Sequence, residues 1–154
     1  MNASIICGVD GSADAQAALQ VAVGLAKRLR LRLVVAHVAE PTFVRYAAAA
    51  PFGRMAGHDA VMVEMGTQEE NAERVLEEVI AAVGVVDAEL RPSVGVPAEG
   101  LADLADEEDA ELIVVGSRGR GAFKAAFLGS VSSSLVGVAR CPVLIVPPGA
   151  TESS

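Results

Sequence analysis

Short runs of apolar, mostly β-branched residues alternate along the chain with longer stretches in which apolar positions recur every three or four residues. The first run, Ser4 to Asp10 (SIICGVD), is nearly continuous, as expected of a parallel strand covered on both faces. Gly11 and Ser12 turn the chain, and Ser12 is placed to cap a helix. That helix carries a stripe through Ala17, Val21, Leu25 and Leu29, with Ala18, Ala22 and Ala26 beside it. Lys27, Arg28 and Arg30 near its end suit the negative pole of the helix dipole. A second strand is predicted over Leu31 to Val38 (LRLVVAHV). Helical period returns over Thr67 to Val83, with Ala72, Val75, Leu76, Val79, Ile80 and Val83 inward and Gly84 as the terminating residue. Glu69, Glu70, Glu73, Glu77 and Glu78 form the solvated face of that helix rather than a metal site.

Val86 to Val94 (VDAELRPSV) alternates imperfectly and contains Pro92, which marks an edge strand. Pro97 sits at the first turn of a short helix ending near Glu108. Glu111 to Gly116 (ELIVVG) reads as another buried strand, and a helix follows over about Ser130 to Val138. Cys141 to Pro147 (CPVLIVP) supplies the last strand, and Gly149 to Ser154 a frayed tail. Between the second strand and the Thr67 helix, periodicity breaks down over about residues 40–66, with Pro41, Pro51, Gly53 and Gly57 and a run of alanines. So long a connection is expected to be flexible, either as an insertion or as a flap over a ligand. The order β-α-β-α-β-α-β-α-β over residues 1–148 predicts one α/β domain, a three-layer sandwich with helices on both faces of a parallel sheet. Ligands of such sheets bind beyond the carboxyl ends of the strands, where strand order reverses. Two loops compete for that place, the one after the first strand (VDGS) and the one after the fourth (GSRGRG).

The core must be aliphatic, because the chain has no Trp and one Tyr. The net charge of −8 argues against a nucleic-acid or anionic-membrane partner, so an anionic ligand needs a local site. Cys7 and Cys141 lack metal-ligand spacing and read as small buried hydrophobes of a reducing compartment, with a redox pair as the other reading. No apolar run is long enough to cross a membrane, and a cytoplasmic location is expected.

The loop after the fourth strand has the makings of an anion site. Gly116, Gly119 and Gly121 allow close approach of the backbone, and Gly129 and Ser130 open a helix whose amino end attracts anions. Ser130 and Ser132 add hydroxyls, and Arg118, Arg120 and Lys124 bring three cations. The Walker pattern is missing, so this is no P-loop. A flexible glycine-rich loop with a serine cap is the plainer alternative.

Gly116-x2-Gly119-x9-Gly129-Ser130 matches in full the signature of the universal stress protein family in its ATP-binding branch. The segments VDGS, AHV, GVPAEGLADLADEEDAELIVVGSRG and GSVSSSLV…CPVLIVP extend the resemblance over about Ser4 to Pro147, weakest over Glu40 to Met65. The resemblance implies an adenine-nucleotide-hydrolase-like sheet of strand order 3-2-1-4-5 and a regulatory protein of the stress response. Its ligand would be ATP or another adenine nucleotide with Mg²⁺. Asp10 would bind ribose hydroxyls or help hold the metal, with Gly8 and Val9 beside it. Val38 would touch the adenine, Val115 and Gly116 would lie along base and sugar, and Gly119 against the phosphates. Gly129, Ser130, Val131 and Ser132 would surround the phosphate chain. Arg118 and Arg120 lie outside the signature and enter only by location and charge. Family members pair their last strand across a two-fold axis, which implies a homodimer through Cys141 to Pro147.

Other readings stay open. Asp10 could cap the turn, and Val38 could be core. His37 reads as a satisfied strand histidine, since the sequence offers it no partner acid or nucleophile. An ATPase or nucleotidyl-transferring enzyme is disfavoured: the first loop has neither SGGxDS nor HxGH, and no general base stands out, so hydrolysis is expected to be slow at most. A cyclic AMP-binding protein and a nucleotide-free dimeric scaffold complete the alternatives.

Overall fold

Successive side chains along the central strands point to opposite faces of the sheet, so that these strands contribute to two cores separated by it. A computed structural model describes residues 3–42, 58–118 and 128–150. Its elements are β1 (Ser4–Gly8), α1 (Ala13–Leu29), β2 (Arg32–Ala39), α2 (His58–Val83), β3 (Glu89–Val94), α3 (Pro97–Glu107), β4 (Ala110–Gly116), α4 (Ser130–Val138) and β5 (Val143–Val146). The five strands are parallel, in the order β3-β2-β1-β4-β5 that the resemblance implies. Ile5, Cys7, Val9, Leu33, Val35 and Val114 face α1 and α2. Ile6, Val34, Ala36, Val38, Ile113 and Val115 face α3 and α4. The domain is therefore three layers, helices on both sides.

The elements form where the pattern places them, with differences that have local causes. Ser12 caps α1 as expected, its Oγ accepting the Ala15 N–H at 3.2 Å. The deepest stripe of α1 is Ala15, Ala18, Leu19, Ala22 and Ala26, whereas Leu29 is exposed and Ala17, Val21 and Leu25 lie along the margin. Small side chains on the inner face let the helix lie close to the sheet. Helix α2 starts at His58, nine residues before the predicted start at Thr67. Its opening turns lack an inward stripe, since Met62 and Val63 are exposed and Gly66 touches nothing, so periodicity could not reveal them. The segment predicted to be flexible is thus helical over 58–66, and residues 43–57 lie outside the described residues. Strand β3 begins at Glu89 rather than Val86, which is fully exposed. Strand β5 covers only Val143–Val146 of the expected Cys141 to Pro147, because Pro142 and Pro147 lack the N–H that would extend the ladder. Of the expected frayed tail, Gly149 and Ala150 close a turn, Ala150 N–H donating to the Pro147 carbonyl at 3.2 Å; residues 151–154 lie outside the described residues.

Cys7 and Cys141 belong to opposite sides of the sheet, which rules out the redox pair. Burial pushes the Cys7 thiol up to about 12 and raises Cys141 as well, so neither is primed as a nucleophile.

The amino ends of the strands are held by charge. Arg32 at the start of β2 contacts Glu89 at 3.1 Å and Glu108 at 3.0 Å, and Arg91 contacts Glu108 and, at 3.4 Å, Glu107. Ser4, fully buried, donates its hydroxyl to the Glu108 carbonyl at 2.8 Å. The Arg32 hydrogen bond, with the charge of Arg91 behind it, holds the Glu108 carboxyl below the usual carboxylate range. The carboxyl ends rely on close approach instead. A Cβ on Gly116 would lie 3.0 Å from the carbonyl carbon and oxygen of Asp14, so only glycine lets the first turn of α1 reach the end of β4.

Two stability measurements check this division. A depressed folded value means that Glu108 stabilises above its unfolded pKa of about 4.3 and loses that contribution as pH falls through the folded value. Urea midpoints followed from neutral pH into the acid range are expected to fall less steeply in Glu108→Gln than in the wild type. Gly116→Ala is expected to cost about 1–3 kcal/mol through overpacking against the Asp14 backbone, read by denaturant unfolding.

Candidate functional site

Parallel strands all end at one edge of the sheet. Beyond β1 the chain enters α1 on one face, while after β4 it reaches α4 on the other, and β1 and β4 are neighbours. Their carboxyl ends therefore flank the switch point where such sheets take ligands.

On the β1 side the main chain is tied down at each step. Val9 N–H donates to the Ala36 carbonyl at 2.9 Å, and the Val9 carbonyl accepts the Nδ1–H of His37 at 2.6 Å. A carbonyl can only accept, so this bond fixes the His37 tautomer and accounts for the residue structurally. Asp10 Oδ1 accepts the Ser12 N–H at 3.0 Å, and Gly11 between them has φ 81°, a left-handed conformation suited to glycine.

On the β4 side Ser117 is the hub. Its N–H donates to the Val146 carbonyl at 2.9 Å, and its carbonyl accepts the Gly129 N–H at 2.6 Å. Ser132, 2% exposed, has its Oγ 3.2 Å from the same carbonyl and 3.1 Å from that of Gly129. The Ser117 Oγ is buried without a hydrogen-bond partner among the described residues. Gly129 is the residue before α4 and offers no side-chain cap, while Ser133 N–H already bonds the Gly129 carbonyl at 3.0 Å. The amides of Ser130, Val131 and Ser132 thus have no intrahelical acceptor, and the positive end of the α4 dipole lies with them.

At the carboxyl edge of the sheet, the ends of β1 and β4 carry Gly8, Val9, Asp10, Val115, Gly116 and Arg118, and α4, tied to Ser117, opens with Gly129, Ser130, Val131 and Ser132. Val38 ends the neighbouring strand. The side chains of Val9, Val38 and Val115 are buried in the two cores, leaving only their main chains to the site. A Cβ on Gly100 would stand 3.1 Å from both Val38 methyls, so α3 packs tightly on that residue. Gly8 is small for a packing reason, because a Cβ there would lie 2.7 Å from Leu101 Cδ1. Gly119, Arg120 and Lys124 lie outside the described residues. Arg118 meets a residue that the sequence gave no cause to single out: its Nε is 3.4 Å from Oδ2 of Asp14 in the first turn of α1. Ser117 is equally inconspicuous, being one of five serines between residues 117 and 134.

Among the described residues, no three His, Cys, Asp or Glu side chains are grouped to hold a metal ion, and no helix is long and apolar enough to cross a membrane. A cleft of about 650 Å³ lies at the opposite pole, lined by Lys27, Arg30 and Arg32 and also by Asp87 and Glu89. It sits at the carboxyl end of α1, where the dipole disfavours anions.

The chain is similar to known proteins over nearly its whole length. The sequence profile of the universal stress protein family matches residues 1–147. The universal stress protein in the QAH/OAS sulfhydrylase 3′ region of Thermus aquaticus is 38% identical over 143 residues, which is 93% of this chain and 97% of that protein. Universal stress protein UspA from Lactobacillus plantarum superposes with a TM-score of 0.69 at 25% identity, over 94% of this chain and 97% of its own. A universal stress protein solved in complex with cAMP is 30% identical, with a TM-score of 0.64, over 96% of this chain and 98% of its own. The chain belongs to the universal stress protein family.

Proposed function

We propose that this protein is an adenine-nucleotide-binding regulatory protein, with ATP as its ligand and hydrolysis slow at most. The observation that carries the reading is the first turn of α4, where three consecutive amides lack an intrahelical acceptor beside the strand end at Gly116. A phosphate bound there would accept the Ser130, Val131 and Ser132 amides and sit in the field of the helix dipole. Ser132 would contribute its N–H, since its hydroxyl is turned to the Ser117 and Gly129 carbonyls. Asp10, ordered by Ser12, would meet the ribose hydroxyls or a Mg²⁺ that arrives with the phosphates. Such an ion keeps most of its water and needs only one or two protein carboxylates. Gly119 and Arg120 enter the reading as further phosphate contacts on the strength of the sequence alone. Hydrolysis would require a base aimed at the attacking water. No such base stands out in the sequence.

Cyclic AMP is the second ligand to consider, because a relative of 30% identity is described in complex with it. The uncapped turn would receive its single phosphate equally well.

Dimerisation through β5 belongs to the same proposal. Edge strand β3 carries Glu89, Arg91 and Pro92, features that discourage pairing, whereas β5 is VLIV without a charge. Val136 and Val138 on α4 add exposed apolar surface.

Titration calorimetry is expected to show saturable ATP binding that Ser130→Glu reduces by at least about tenfold, through repulsion at the helix start. Unchanged affinity in that variant would mean that the phosphates lie elsewhere. Sedimentation at micromolar concentration is expected to give twice the chain mass of 15.7 kDa, and a lone monomer would contradict the β5 pairing.

A further inference from the structure

The first turn of α1 and the segment after β4 are joined by an ion pair. Asp14 and Arg118 stand 3.4 Å apart, Oδ2 to Nε, with side chains only 16% and 25% exposed. Cover of this kind weakens the screening that makes surface pairs nearly worthless. The Arg118 Nε is itself buried and makes no hydrogen bond among the described residues, and Asp14 is the charged group beside it there, as an ion pair. The approach is built into the backbone. Gly116 leaves no room for a Cβ against Asp14, and the Asp10 and Ser12 bonds order the turn that presents Asp14. Arg118 also directly follows Ser117, whose carbonyl fastens the start of α4.

We propose that Asp14 is a positioning residue for Arg118, and that the pair gives the site a preference for nucleotides with two or three phosphates over adenosine and cyclic AMP. This rests on the nucleotide reading above. The first-turn amides of α4 suffice for one phosphate. A second and third bring more negative charge into a protein of net charge −8 and need a cation beside that turn. A guanidinium held by its Nε edge keeps its two Nη groups as a fork, the geometry that receives phosphate oxygens in pairs. The opposite role for Asp14 would be to neutralise Arg118 and repel phosphate. The two roles predict opposite signs on substitution.

The test is calorimetric titration of wild type, Asp14→Asn, Arg118→Gln and the double variant with ATP, adenosine and cyclic AMP. Arg118→Gln is expected to weaken ATP about tenfold, as for loss of one charge-assisted phosphate contact, while adenosine changes less than about twofold. Asp14→Asn is expected to weaken ATP by about three- to tenfold, and the double variant to be no weaker than Arg118→Gln alone, the mark of residues acting as a unit. If Asp14→Asn does not fold, Asp14→Glu, which moves the carboxylate and keeps its charge, is expected to weaken ATP selectively too. Tighter ATP binding by Asp14→Asn overturns the proposal, as do equal losses for ATP and adenosine. A wild type that binds ATP no better than adenosine overturns the proposal and leaves the nucleotide reading standing. A wild type that binds none of the three overturns both.

Discussion

The hydrogen bond from Gly129 N–H to the Ser117 carbonyl, 2.6 Å long, is the contact on which the carboxyl edge of this sheet depends. It uses one amide of the α4 start, ties the helix to the strand end, and leaves the next three amides without an intrahelical acceptor. Ser117 can serve because its own N–H is already committed to the Val146 carbonyl of β5, which holds the residue in line with the sheet. Ser132 closes the joint from within the helix through its buried hydroxyl. A helix anchored in this way retains its dipole at that edge and loses the freedom to cap itself.

The two poles of the sheet are stabilised by different chemistry, and the difference bears on function. Five charged side chains around Arg32 and Glu108 brace the amino ends of β2 and β3, and the buried Ser4 hydroxyl joins them through the Glu108 carbonyl. At the carboxyl ends the bracing is done by main chain and by close packing. Gly8 gives way to Leu101, Gly116 to the Asp14 backbone, and His37 secures the Val9 carbonyl. The proposed ligand would meet that edge, where Arg118 is a described cation.

Element order could be read from the sequence because β-branched runs and amphipathic stretches alternate cleanly, and Ser12, Gly84 and Pro97 mark helix ends by their own chemistry. Strand order came through the resemblance carried by the glycine loop, not from periodicity. The start of α2 was hidden because Met62, Val63 and Gly66 there answer to no buried face. At the site, the start of α4 at Ser130 was legible from the sequence. The roles of individual side chains were not. Nothing in the sequence brings Asp14 to Arg118, or distinguishes Ser117 from its neighbours, because both depend on register between β1 and β4 that only the folded sheet supplies. Gly8 shows the converse: a motif glycine whose size is explained by a leucine in the core.

The central claim is that the uncapped first turn of α4 receives the phosphates of an adenine nucleotide. Amide NMR of the isotopically labelled protein during ATP titration tests it at the atoms concerned. The account predicts saturable shifts of the Ser130, Val131 and Ser132 amides, larger than those of the α1 carboxyl end at the other pole. Binding that leaves these three amides unmoved while shifting others, or a spectrum unchanged at millimolar ATP, would contradict it.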